Sequence, residues 1–204
     1  MNTQPVQNIQ NSSHDELVLV VKRDLLFTAN AWHGLKTDNI EETVLCIEKN
    51  KEFLPRSLME LDIQYKQIIP YLIFMHEGKY FLMQRQSKTT EQRLKNKYSM
   101  GIGGHINQED MTSSSIIDWA TREFHEEISY AGDYTVEVMG VLNDDSNAVG
   151  QVHLGLVLLL RGNSSDIAVK SELKSGFLLS LEECAEYYPT MESWTQIIYN
   201  TLVK

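Results

Sequence analysis

The sequence predicts an α/β sandwich in which a mixed sheet carries a glutamate-rich helix on one side and a C-terminal helix on the other, with a small N-terminal β-rich extension. Strand-like apolar runs, at residues 68–75 and 154–160, lie far apart in the chain. Two amphipathic stretches of helical period follow them, one after Ser115 and one ending near Leu202. Elements that alternate in this way pack as helices on a sheet. At 204 residues the chain has room for one main core. With 42% hydrophobic and 23% charged residues it has the balance of a folded globular protein, which excludes a wholly disordered or fibrous chain. Both apolar runs are much shorter than the roughly 20 residues of a membrane-spanning helix, so no membrane span is expected.

Residues 1–14 are polar, without a basic segment or an apolar stretch, and read as a flexible tail rather than a targeting signal. Residues 16–23 (ELVLVVKR) are rich in Val and Leu, and residues 42–48 (ETVLCIE) repeat that pattern after a loop with Gly34 and Asp38. Both are expected as strands of an N-terminal lobe over 15–62. Pro55 interrupts the pattern, and residues 57–62 are expected to form a short helical turn. The main domain is expected over 63–204.

Residues 66–75 and 79–85, separated by His76-Glu77-Gly78, read as a hairpin. Pro70 has no N–H for a ladder and is expected at an edge or bulge. A polar, basic stretch follows, with Lys88, Arg93, Lys95 and Lys97, and ends at Gly101-Ile102-Gly103-Gly104. Glycines there permit positive φ or close backbone approach. Ser113, Ser114 and Ser115 are candidate N-caps, and Ser115 with Asp118 resembles a capping box, so a helix is expected to about residue 128. Residues 135–142 and 152–161 read as strands, the second buried on both faces. Ser180 with Glu183 caps a further helix that Pro189 ends, and residues 191–202 place Trp194, Ile197, Ile198 and Leu202 on one helical face.

The formal net charge of −10, from 18 basic and 28 acidic residues, argues against binding to long nucleic acid and suits carboxylates that hold cations. Cys46 and Cys184 are too far apart and too few for a zinc or disulfide framework, and are expected as buried, reduced thiols of a cytoplasmic protein.

On the first long helix, Ile117, Ala120, Phe124 and Ile128 share one arc, and Glu123, Glu126 and Glu127 share the arc beside it. Like charges at i,i+3 or i,i+4 cost a few tenths of a kcal/mol per pair. A hard divalent cation relieves that repulsion; a solvated acidic stripe with Arg122 as counter-charge is the alternative. The run Arg122-Glu123-Phe124-His125-Glu126-Glu127, preceded by Gly103-Gly104, resembles the signature of the Nudix hydrolase superfamily. Two positions depart from that signature. Its first acid falls on Asp110 counted forward from Gly104, with four extra residues before Arg122, or on Ser114 counted backward from Arg122, and its terminal Gly is Ser129.

The resemblance implies a Nudix-like α/β/α sandwich and a Mg²⁺ or Mn²⁺ site formed by Gly103, Glu123, Glu126 and Glu127. It implies Glu123 or Glu127 as general base and Arg122 as the group that orients the acids. Arg85, Lys88 and Gly104 are the candidate substrate-binding residues. Asp144 or Asp145 is a candidate further metal ligand, with an Asx turn as the alternative. His105 and His153 read as structural histidines, with phosphate or metal binding as the alternative. Tyr65, Tyr71 and Tyr98 read as core aromatics, with stacking on a nucleobase as the alternative.

The implied activity is that of a pyrophosphohydrolase or phosphoesterase: divalent-metal-dependent hydrolysis of a phosphoanhydride in a nucleoside diphosphate linked to another group. The alternative is a non-catalytic Nudix-like module that senses a nucleotide or binds a protein. A small phosphorylated, nucleotide-like substrate is the expected partner. The N-terminal segment, with Trp32, His33 and Arg56, is expected either to select substrate or to form a homodimer contact.

Overall fold

The computed structural model describes residues 15–85, 96–111, 115–170 and 173–204. The expected tail, Lys88, Arg93, Lys95, Ser113 and Ser114 lie outside these residues, as does the side chain of Asp110. Strands β1 (Leu17–Lys22), β2 (Gly34–Lys36), β3 (Glu52–Pro55), β4 (Tyr65–His76), β5 (Lys79–Arg85), β6 (Tyr98–Ser99), β7 (Gly101–Gly103), β9 (Tyr134–Asn143), β10 (His153–Gly162) and β12 (Leu173–Leu179) form one sheet. β8 (Ile128–Tyr130) and β11 (Ile167–Val169) form a second, two-stranded sheet. The main path runs β12-β5-β4-β10-β9-β2. β4 and β10 are parallel and the remaining pairs are antiparallel, so the sheet is mixed as expected.

The two central strands show why their sequences are apolar almost throughout. Ile68, Leu72 and Phe74 of β4 and Leu154, Leu156, Leu158 and Leu160 of β10 face one core, shared with Trp119, Ala120 and Phe124 of helix α4 (Ile116–Glu127). Tyr71 and Ile73 with Val157 and Leu159 face the other, where Trp194 and Ile198 of helix α7 (Ser193–Leu202) pack. Both faces are covered, so the period-2 alternation of a half-exposed strand is absent. The Ser115 and Ser180 capping boxes are both formed, the second opening helix α6 (Leu181–Cys184). The β4–β5 hairpin turns through Glu77 at φ 47° and Gly78 at φ 77°, the pair of positive angles that a two-residue type I′ turn demands.

Residues 42–48 are not a strand. They belong to helix α2 (Ile40–Asn50), on which Ile40, Val44 and Ile47 recur at i, i+4 and i+7. Ile47 enters the main core and Val44 packs against it, while Leu45 stays exposed. A four-residue apolar run fits either period, and here the longer helical stripe decides. Pro70 lies on a central strand rather than an edge. One side of β4 is parallel to β10 throughout; along the other, β1 pairs as far as Gln67 and β7 takes over from Tyr71. The missing N–H thus falls where the ladder changes partner.

Residues 15–62 also contain helices α1 (Arg23–Leu26) and α3 (Arg56–Met59). This segment extends the same sheet: β1 pairs with β4, β2 pairs with β9, and Leu19, Val21 and Ile47 lie in the main core. Cys184 is buried, as expected, but Cys46 is only half-buried on α2. Among the described residues no helix is long and apolar enough to cross a membrane.

Candidate active site and its neighbourhood

The glycines of the turn are required by close approach rather than by positive φ, which they do not have. A Cβ at Gly101 would lie 2.1 Å from the Tyr71 ring, and one at Gly103 would lie 2.9 Å from the Pro70 carbonyl. At Gly104 it would lie 2.7 Å from Oε1 of Glu123, with the Trp119 ring at 3.6 Å. The helix therefore sets the Glu123 carboxylate directly on the turn. The capping box fixes where α4 starts, and the burial of Ile116, Trp119, Ala120 and Phe124 fixes which arc faces the sheet.

From Glu123 to Glu127 the helix advances by about 6 Å, so the three acids line an edge just over one turn long. Glu123 and Glu127 are half-buried, and Glu126 is exposed, 3.5 Å from the Arg122 guanidinium. Ser129, at the position of the signature's last Gly, lies in extended β8 and requires no left-handed backbone. A strand starts directly after α4, so Gly has no conformational advantage there.

Arg85, expected to meet phosphate, donates through Nε to Glu192 at 2.8 Å at the start of α7. Burial would lower its pKa, but the charge and hydrogen bond of Glu192 outweigh that and hold it above the usual value, with Glu127 adding in the same direction. Glu192 was not legible as a neighbour of this site, because 107 residues separate it from Arg85 and no motif marks it. Lys97, at the end of the basic stretch, is half-buried.

The candidate acids of the 143–147 turn have partners of their own. Asp144 accepts from the Ser146 N–H at 3.1 Å and from Asn147 Nδ2 at 3.1 Å, the geometry of an Asx turn. Asp145 accepts from Lys66 Nζ at 2.7 Å and is ion-paired to Arg23. Burial would raise its pKa; the hydrogen bonds from Arg23 and Lys66 prevail and bring it down to about 2. Lys66 is fully buried and also donates to the carbonyls of Gly150 at 2.6 Å and His153 at 3.1 Å. This network joins α1, β4, the 143–147 turn and helix α5 (Ala148–Val152) ahead of β10.

Tyr71 is a core aromatic as expected: its hydroxyl meets Ser99 at 3.0 Å and Thr195 at 2.8 Å. Burial pushes its pKa up to about 12. Tyr65 and Tyr98 are half-buried, with Tyr98 packed on Tyr187. Trp32 donates to the Val141 carbonyl at 3.3 Å, and His33 lies 3.5 Å from Asp144. Arg56 reaches Glu16 at 2.8 Å and Glu60 at 3.4 Å.

Next to Gly104, the ring of His105 meets that of His153. Their Nε2 atoms are 3.2 Å apart, and Glu60 Oε1 is 3.9 Å from His105 Nε2. Burial, with Arg56 and His153 nearby, lowers the His105 pKa to about 3, so its ring is neutral at pH 7. The sequence marked the two histidines singly; nothing in it linked them to Glu60.

Fold and site together define an α/β/α protein of Nudix type, with the RExxEE helix laid against a Gly-Gly turn. Over 202 residues the chain is 30% identical to protein YmaB of Bacillus subtilis (strain 168), covering 92% of this chain and 98% of that protein. The crystal structure of Tm1382, described as a candidate Nudix hydrolase, superposes with a TM-score of 0.77 at 29% identity, over 92% of this chain and 98% of that one. The NUDIX domain of Shewanella oneidensis NrtR, solved with ADP ribose, shares the fold at a TM-score of 0.53 and 12% identity, over 68% of this chain and 87% of that one. No protein-family model matches the sequence. The chain belongs to the Nudix hydrolase superfamily.

Proposed function

We propose that the protein hydrolyses a phosphoanhydride in a nucleoside diphosphate linked to another group, with Mg²⁺ or Mn²⁺, at the edge of α4 that carries Glu123, Glu126 and Glu127. The observation that carries this reading is the contact between Gly104 and Glu123: a Cβ would fill the space taken by the carboxylate. The donors suit a hard cation, since carboxylate oxygens and a backbone carbonyl of the turn are what Mg²⁺ prefers. Glu126, Glu127, Glu123 and the carbonyl of Gly103 would hold it. When bound, such an ion neutralises diphosphate charge and lowers the pKa of a water.

The chain's own groups supply the rest. Glu123 or Glu127 accepts a proton from the attacking water, a role open to an ionised carboxylate within hydrogen-bond reach. Arg122 orients Glu126 by a charge-assisted contact. Arg85, held by Glu192 and under the field of Glu127, supplies positive charge on the sheet side, and Gly104 leaves room for close approach of substrate phosphate. Lys88 remains a proposed phosphate contact on sequence grounds. The substrate is small and nucleotide-like.

The test is the double variant Glu126→Gln with Glu127→Gln, which removes ligand charge at nearly constant shape. A panel of nucleotide sugars, dinucleoside polyphosphates, nucleoside triphosphates and dinucleotide cofactors is screened with Mg²⁺ for phosphate-containing products. The parent is expected to turn over at least one class and the double variant to lose that activity. Equal turnover by both would remove the assignment; ligand binding by the parent with no turnover would favour the sensing module.

A further inference from the structure

We infer that Glu60, His105 and His153 form a second metal site, one for a borderline transition ion such as Zn²⁺, beside the Gly-Gly turn. The inference does not depend on the proposed hydrolytic activity. Ligand atoms from these three side chains all lie within 4.8 Å of one another. Two imidazoles and one carboxylate are the donors of three-ligand zinc centres that keep a fourth position for water, and are too rich in nitrogen to favour Mg²⁺.

The ring orientation supports ligation. His153 Nδ1 lies 2.8 Å from the Val149 carbonyl, which can only accept, so Nδ1 carries the proton of the neutral ring and the lone pair is on Nε2. A carbonyl on the second nitrogen is the usual outer partner of a metal-bound histidine. The 3.2 Å between the two Nε2 atoms matches the separation of about 3.3 Å expected for two ligands on one tetrahedral zinc with bonds near 2.05 Å. An N–H···N hydrogen bond fits the same distance, and only metal loading separates the two. Glu60 must close on the pair, and it can: its competing partner Arg56 lies 3.4 Å away and has Glu16 at 2.8 Å.

The surroundings are those of a site with one open side. His105 and His153 are largely buried, whereas the Glu60 side chain is 36% exposed, which gives an ion a path in. In the parallel register Gln67 stands beside His153; it is fully buried, and neither amide atom has a partner among the described residues. A water on the ion is the kind of group that would answer such an amide. The three ligands come from the end of α3, the turn after β7 and the first residue of β10, so the ion would tie the N-terminal segment to the turn on which Glu123 rests.

The test uses tag-free full-length protein, stripped with a chelator and titrated with Co²⁺ and then Zn²⁺. One Co²⁺ per chain is expected to bind with visible absorption of a low-coordinate ion, to be displaced by Zn²⁺, and to raise the midpoint of thermal unfolding. His153→Gln and Glu60→Gln should each weaken Zn²⁺ affinity by at least about tenfold. The Glu126→Gln, Glu127→Gln double variant should keep the Co²⁺ spectrum. Absence of Co²⁺ absorption and of thermal stabilisation in the parent protein would overturn the site, whatever the variants do. So would a spectrum lost in the helix double variant but kept in His153→Gln.

Discussion

Gly104→Ala should separate activity from stability. The new Cβ would lie 2.7 Å from Glu123 Oε1, and an ordinary contact begins near 3.4 Å, so the carboxylate must withdraw by about 0.7 Å. The displaced atom is the tip of a flexible side chain, so the folding cost should stay below about 1 kcal/mol. Catalytic groups tolerate such shifts poorly: a misplacement of about 1 Å can cost on the order of 100-fold in rate. The expected loss is therefore about 10- to 100-fold in metal-dependent turnover with a nearly unchanged urea midpoint. Gly101→Ala is the contrasting case. Its Cβ would lie 2.1 Å from a buried tyrosine ring that is itself hydrogen-bonded to Ser99 and Thr195, and overpacking there should cost about 1–3 kcal/mol or more. Urea unfolding of both variants, with steady-state rates on the substrate found by screening, makes the comparison. If Gly104→Ala kept full activity, or lost as much stability as Gly101→Ala, the contact between turn and helix would not have the role argued for it.

Lys66→Met should destabilise by about 3 kcal/mol in urea unfolding, because it leaves Asp145 with Arg23 alone and two carbonyls without their donor. Asp145 has its folded pKa depressed to about 2, so the stability it contributes is present above the unfolded value near 3.9 and is lost as pH falls through about 2. The deficit of Asp145→Asn relative to the parent should accordingly shrink between pH 5 and pH 2, and a constant deficit would contradict the ion network. Tyr71 has its folded pKa raised to about 12, so the parent should lose stability as pH rises from 10 to 12. Tyr71→Phe should lack that component while costing about 1 kcal/mol at pH 7 through its lost hydroxyl contacts. Removal of residues 15–62 should abolish cooperative unfolding rather than merely alter specificity, since Leu19, Val21 and Ile47 fill the common core; a well-folded truncation would refute this.

The local signals fixed a large part of the molecule. Ser115 with Asp118, and Ser180 with Glu183, announced helix starts because a capping box is satisfied within four residues, whatever the rest of the chain does. The β4–β5 hairpin and the doubly buried β10 were legible for the same reason: turn chemistry and unbroken hydrophobicity are properties of short windows. The RExxEE run fixed the side chains offered along one helical edge, because helical period alone puts them there. Residues 42–48 were misread because four apolar residues do not choose a period, and α2 is helical through the stripe it buries in a core built by distant strands. Pro70 looked like an edge residue because the sequence could not show that two strands would share one side of β4, leaving its missing N–H at the changeover. The contacts that join separate elements around the site span long stretches of chain: Arg85 to Glu192, Asp145 to Lys66, and Glu60 to His105 and His153. Which acid meets which base depends on how the sheet brings separate strand ends together, and a one-dimensional pattern does not carry that geometry.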